Sequence, residues 1–224
     1  MQNKVKLTKR QIKEDKFTAF MLTSKDEFLE HWQKYVLGAA VVVLAVVAVF
    51  YYSSARKASH IEAGQKLAQA MMDYRAGNNQ VAILGLNQII ENYGGDDAAE
   101  QATFLLGKVN YDSKNYPEAI RYFEMYLSKY HDSKLDRAAA LAGIGASQMN
   151  QGNYSDAAAR YQAAIDEYPD GPLVENYNLE ALRADLLQGD MDKAKARLAT
   201  ITDKYKGSET AFQAQLLYSE KART

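Results

Sequence analysis

Residues 106–127 read LGKVNYDSKNYPEAIRYFEMYL, and their pattern decides the fold. An apolar-periodic run ends at Lys114-Asn115, residues that tolerate positive φ and close a helix. A second run opens at Tyr116, with the small Ala119 free to approach a partner closely. The stretch reads as two helices joined by a tight turn, and the turn recurs in both directions along the chain. Gly77-Asn78, Gly152-Asn153 and Gly189-Asp190 repeat it, and Asn78, Asn115, Asn153 and Asp190 stand 37, 38 and 37 residues apart. Ala82, Ala119, Ala157 and Ala194 keep the same spacing, as do Tyr93, Tyr130, Tyr168 and Tyr205. Three registers that agree define a repeat.

Each unit is then a helix-turn-helix hairpin. Breakers separate the units: Gly94-Gly95, His131-Asp132-Ser133, Pro169-Asp170-Gly171-Pro172, and Gly207-Ser208, which opens a final helix running to Lys221. One hairpin cannot bury its apolar face alone, so residues 53–224 are expected to stack four hairpins into a solenoid with a terminal capping helix. The fold class is all-α. Composition agrees, with 3 Pro in 224 residues and no Cys. Few helix breakers favour helix, and the lack of thiols excludes disulfide frameworks, thiolate metal sites and cysteine nucleophiles. A formal net charge of −1 supplies no basic field for nucleic acid.

Leu106-Gly107, Tyr111, Asn115-Tyr116-Pro117-Glu118-Ala119-Ile120, Tyr122-Phe123 and Tyr126-Leu127 resemble the tetratricopeptide (TPR) repeat. So do Gly152-Asn153-Tyr154, Ala157, Tyr161, Ala164, Ile165 and Tyr168-Pro169. The first unit (about 60 to 95) and the fourth (about 172 to 206) keep the turn and the alanine but carry Leu86 and Leu198 where the second helix of the other two has an aromatic. The period exceeds the 34 residues of that repeat, and the surplus falls between hairpins, at stretches such as Tyr130 to Arg137. The resemblance implies a protein-binding groove lined by the first helix of each hairpin. One position late on that helix maps to Tyr74, Tyr111, Met149 and Leu186, and the same groove takes in Leu67, Met71, Phe104, Lys108, Ala142, Ala146, Leu179 and Arg183. The other reading of Tyr74 and its equivalents is core between repeats, and helix rotation decides between the two.

Ahead of the repeats, Val36 to Tyr52 reads VLGAAVVVLAVVAVFYY, seventeen residues without a charge. That is the short end of what spans a bilayer. Trp32, Tyr35, Tyr51 and Tyr52 sit where amphipathic rings favour the headgroup layer, so residues 35–52 are expected to form a transmembrane helix. Two alternatives compete: a buried helix of a soluble domain, and a cleaved signal peptide, for which Ser53 and Ala55 supply a small-x-small site. Residues 1–34 carry eight Lys/Arg and five Asp/Glu, residues 53–224 nineteen and twenty-three. The basic excess of the tail places the amino terminus in the cytoplasm by the positive-inside rule. Within that tail, Ser24 and Glu27 have capping-box spacing, which predicts a helix from Lys25 into the membrane, and Ile12, Phe17, Phe20 and Met21 suit a short amphipathic helix or a solvated tail.

The plan of a short tail, one span and about four TPR-like units ending in a lone helix resembles the ancillary subunit of the bacterial SecYEG translocon. That resemblance implies a single-pass inner-membrane protein whose repeats lie in the periplasm. Its expected partners are translocon subunits, a membrane-anchored periplasmic chaperone, or unfolded exported chains. The alternative is a scaffold for outer-membrane, cell-wall or cell-division assembly. Nothing in the chain suggests catalysis: no phosphate-binding loop, dinucleotide fingerprint, HExxH or GxSxG is present. His31, His60 and His131 are isolated, placed respectively beside the membrane, near a helix start and in a breaker, without an i, i+4 ligand pair. Asp26-Glu27 and Asp96-Asp97 read as helix-start carboxylates that complement the dipole. No catalytic residue, cofactor, metal or small-molecule substrate is expected.

Overall fold

The computed structural model describes the backbone of residues 9–223 and the side chains of residues 32–34 and 36–223. Over these residues the chain is helical and contains no strand: α1 (Lys9–Arg75), α2 (Asn79–Asn92), α3 (Asp97–Asp112), α4 (Tyr116–Lys129), α5 (Lys134–Asn150), α6 (Tyr154–Glu167), α7 (Val174–Gln188), α8 (Met191–Lys204) and α9 (Glu209–Lys221). It divides into two units, residues 1–58 and 59–224. The boundary falls within α1.

In the first unit, the helix expected from Lys25 starts instead at Lys9, which puts Ser24 inside α1 and not at its N-cap. The reason is the absence of any breaker: residues 9–75 contain no Pro, and only Gly38 and Gly64 interrupt otherwise helix-compatible residues. The side chains of Ser24, Glu27, Ile12, Phe17, Phe20, Met21, Asp26, His31 and Tyr35 lie outside the described residues. Val36 to Tyr52 are helical and exposed throughout, with Phe50 at 74% and Leu44 at 68%. A core helix of a soluble domain would bury such residues, and none of them is buried here. The helix is long and apolar enough to cross a membrane.

The second unit is built from hairpins. Residues 59–75 of α1 pair with α2, and Ala63, Leu67 and Ala70 share one core cluster with Leu86 and Ile89. Then α3 pairs with α4, α5 with α6 and α7 with α8, and α9 packs on α7 and α8. Each hairpin turn is a Schellman closure. Asn78, Asn115, Asn153 and Asp190 donate their backbone N–H five residues back, to Asp73, Asn110, Gln148 and Asp185. The residue before each donates three residues back, to Tyr74, Tyr111, Met149 and Leu186. This geometry demands a left-handed residue, supplied by Gly77, Gly152 and Gly189 at φ of 80 to 84° and by Lys114 at 60°.

Breakers become caps. Asp96, Ser133 and Ser208 accept side-chain hydrogen bonds from the backbone N–H of Ala98, Asp136 and Ala211 at the starts of α3, α5 and α9. The core clusters straddle neighbouring hairpins: Tyr122 of α4 lies in the cluster of α1 to α3, and Tyr177, Ala181 and Ala184 of α7 lie in that of α5 and α6. Fully buried Leu106, Ile144 and Leu182 each contribute about 1.5–3 kcal/mol of burial. Hairpins therefore stabilise one another in series, as a solenoid requires.

His60, expected near a helix start, lies inside α1. Its Nδ1 is 2.7 Å from Oδ2 of Asp96, the residue that caps α3. His131 sits in the breaker, as read from sequence, with its Nδ1 3.1 Å from a guanidinium nitrogen of Arg137.

Candidate protein-binding groove

Consecutive first helices lie side by side, α3 against α5, and two adjoining clefts open along them. The smaller, about 210 Å³, is lined by Leu67 and Met71 of α1, Glu100, Phe104 and Lys108 of α3, and Asp136 of α5. The larger, about 510 Å³, is lined by Phe104, Lys108, Tyr111 and Asp112 of α3, Asp136, Ala139, Gly143 and Ala146 of α5, and Leu173 just before α7. Phe104 and Lys108 belong to both, so the clefts form one trough.

The walls are held by identifiable contacts. The ring of Phe104 meets Phe123 and Tyr126 of α4 edge-on, with centroids 5.6 and 5.4 Å apart. Tyr126 is itself buried and donates its hydroxyl to Glu100 at 3.0 Å. Burial, then Glu100 and Asp136, hold the Tyr126 hydroxyl well above the usual tyrosine range. Arg137 fixes α5 to the preceding breaker by donating to the carbonyls of Leu127 and Tyr130 at 3.0 Å and to Glu167 at 2.8 Å.

Of the residues assigned to the groove from sequence, Leu67, Met71, Phe104, Lys108, Tyr111 and Ala146 come together in this trough. Arg183 and Leu186 do not join them. They line a separate depression of about 430 Å³ with Leu187 and Leu217, between α7 and α9. Tyr74 is partly buried and donates its hydroxyl to Asp112, tying α1 to α3. Met149 packs against the core of α5 to α7. Ala142 and Leu179 are buried in the core, at 8% and 5% exposure, so they back the helices without presenting a surface. The cause is helix rotation: α5 turns Leu135, Ala139, Gly143 and Ala146 to the cleft. That spacing of four, four and three was legible as one helical face, but the length of the breaker hid which face was presented. Glu100, Asp112 and Asp136 were missed because isolated carboxylates carry no motif.

Trp32, Tyr51 and Tyr52 of the expected membrane anchor are exposed on α1. Burial raises the Glu180 carboxyl above the usual range on α7, with Arg183 opposing. Among the described residues no three His, Asp or Glu side chains gather as a metal cluster.

A family model described as a tetratricopeptide repeat-like domain matches residues 26–167, and a tetratricopeptide repeat model matches residues 143–196. No curated protein matches the chain. Among solved structures, the nearly identical TPR-like repeats of a kinesin light chain-type protein of Podosopora anserina superpose with a TM-score of 0.57 at 14% identity, covering 71% of this chain and 84% of that one. A single-substitution variant of those repeats gives 0.58 at 15% identity, with the same coverage. At such identity the likeness shows the fold. The match over residues 26–167 takes in more than half of the sequence, and the chain belongs to the tetratricopeptide repeat-like family, whose fold is typically a non-catalytic scaffold for protein–protein interaction.

Proposed function

We propose that this chain is a membrane-anchored, protein-binding scaffold of the bacterial envelope, serving the Sec export translocon as an ancillary subunit or chaperone adaptor. The trough across α1, α3 and α5 carries the reading of a protein ligand. It offers aromatic and Met side chains with a lysine at their rim, the adaptable surface on which peptide segments dock. The exposed apolar stretch of α1 supports an anchor. The family match begins at residue 26, before that stretch, which favours a retained segment belonging with the repeats over a cleaved leader. On this reading the amino terminus is cytoplasmic and the repeats are periplasmic, where they hold translocon subunits, an anchored chaperone or emerging chains.

Photo-crosslinking in cells tests it. A crosslinker replaces exposed Lys108 in the trough, with exposed Glu124 on α4 as control. Capture of translocon subunits or a membrane-anchored chaperone from position 108 and not from 124 is the expected result. Capture of cell-wall or outer-membrane assembly factors overturns the export reading in favour of an assembly scaffold, and equal capture from both positions overturns the groove.

A further inference from the structure

The trough is apolar in its walls and acidic at its edges. Glu100, Asp112 and Asp136 line it against a single Lys108. Two of them accept from neutral hydroxyls: Tyr126 donates to Glu100 and Tyr74 to Asp112. Elsewhere on the hairpins some carboxylates are matched by cations, as in Glu118 with Arg121, Glu124 with Arg160, Glu167 with Arg137 and Asp185 with Arg197, while others, such as Asp73 and Asp166, accept from glutamine amides. None of the three trough carboxylates has such a partner among the described residues. Three negative charges around one positive, above low-dielectric aromatic walls, focus a negative potential on whatever enters.

From this geometry we infer that the trough takes an extended segment of another protein that alternates large apolar side chains with Lys or Arg. The inference rests on the groove reading above and names its ligand chemistry. Three helices packed about 8–10 Å apart make the trough roughly 20 Å long, enough for about six extended residues at ~3.3 Å each. Apolar side chains enter the two clefts on either side of Phe104, and cationic side chains reach Glu100 and Asp136. Lys108 then acts as a discriminator: it repels a poorly placed cation and fixes the register of the segment.

The test uses the full chain in non-ionic detergent and three fluorescent nine-residue peptides of alternating Leu and Lys, Leu and Gln, or Leu and Glu, read by anisotropy. Differences between protein variants cancel any partition of peptide into micelles. The Leu/Lys peptide is expected to bind at least tenfold tighter than the Leu/Gln peptide, and the advantage to shrink with added salt. Glu100→Gln and Asp136→Asn, with unchanged circular dichroism and melting temperature, each reduce that advantage several-fold, and Lys108→Gln increases it. Equal affinity for all three peptides, or a preference for Leu/Glu, overturns the ligand chemistry while leaving the groove in place. Failure of all three to bind also overturns it, and capture from position 108 in cells then decides separately whether the groove is used.

Discussion

The ring of Phe123 lies so close to Gly107 that a methyl group on the Gly107 Cα would sit 2.6 Å from two of its carbons. Gly143 of the next hairpin closes on the other side, where the same methyl would sit 2.5 Å from the ring. A looser version recurs one unit on, where a methyl on Gly145 would sit 3.3 Å from the ring of Tyr161. Ala70 and Leu86 occupy these two positions in the first hairpin, and Leu182 and Leu198 in the fourth, each pair sharing a core cluster. Volume is exchanged between facing helices: glycine faces an aromatic, and alanine or leucine faces leucine. Close packing accommodates either solution and penalises a mixture of them.

Gly107→Ala is therefore expected to destabilise the chain by about 1–3 kcal/mol through overpacking. Phe123→Leu in that background restores the alanine–leucine pairing of the first hairpin, so the double variant loses less than the two single losses combined. Urea unfolding of all three variants checks this. A double loss equal to the sum means that the pair is not coupled.

At the hairpin turns, Lys114 takes the left-handed conformation that glycine takes in the other three, and a β-carbon there costs about 1 kcal/mol or more. Lys114→Gly should raise stability by a few tenths to ~1 kcal/mol, the relief being partly offset by the entropy of an added glycine. Gly152→Ala should lower it by about 1 kcal/mol for backbone reasons alone, because nothing lies within 4 Å of the added methyl. Thermal melts of the pair check both signs. A Lys114→Gly variant less stable than the parent would mean that the lysine side chain contributes more than the strain it imposes.

The hairpins could be read from sequence because turn chemistry and a close-packed alanine are local requirements: Gly77, Lys114, Gly152 and Gly189 had to be left-handed, and Ala82, Ala119, Ala157 and Ala194 are all fully buried. The start of α1 could not be read so, because Ser24 and Glu27 have cap spacing in a stretch where nothing stops the helix from extending upstream. The groove was half legible. Phe104, Lys108 and Tyr111 follow from their position on the hairpin, but whether Ala142 or Gly143 faces the cleft depends on the rotation of α5, whose start Arg137 ties to Leu127 and Tyr130 nearby and to Glu167 thirty residues on. The carboxylates at the trough's edges acquire meaning only when folding brings Glu100 and Asp136 to one cleft.

A long-range ion pair locks the last hairpin. Asp185 of α7 is 1% exposed and accepts from Nε of Arg197 on α8 at 2.8 Å, while Nη1 of Arg197 donates to Gln162 of α6 at 3.0 Å. Arg197→Ala strands a buried carboxylate and should cost about 3–5 kcal/mol, the range for removing one partner of a buried pair. Replacing both residues, as Asp185→Leu with Arg197→Met, should cost less than Arg197→Ala alone, because no charge is then left buried. Chemical denaturation of both variants checks the order, and the reverse order would show that the pair contributes net stability beyond satisfying its own desolvation.

Asp190 differs from its counterparts Asn78, Asn115 and Asn153 in capping with its side chain: its carboxylate accepts from the Lys193 backbone N–H at 3.1 Å and lies 3.0 Å from the Lys193 ammonium. The backbone hydrogen bond, then the lysine, pull its carboxyl below the ordinary aspartate value of 3.8. An acid whose folded pKa is depressed contributes stability that is fully present above its unfolded pKa and is lost as pH falls through the folded one. The cap should therefore be intact at neutral pH and fail only in acid, below the ordinary aspartate range. Asp190→Asn keeps the turn of the first three hairpins but removes this acid-dependent step, so the melting temperatures of variant and parent should converge as the pH drops below 3.8. A carboxyl-carbon NMR titration locates the group directly, and a midpoint at or above the ordinary aspartate value would show that the cap does not hold in solution.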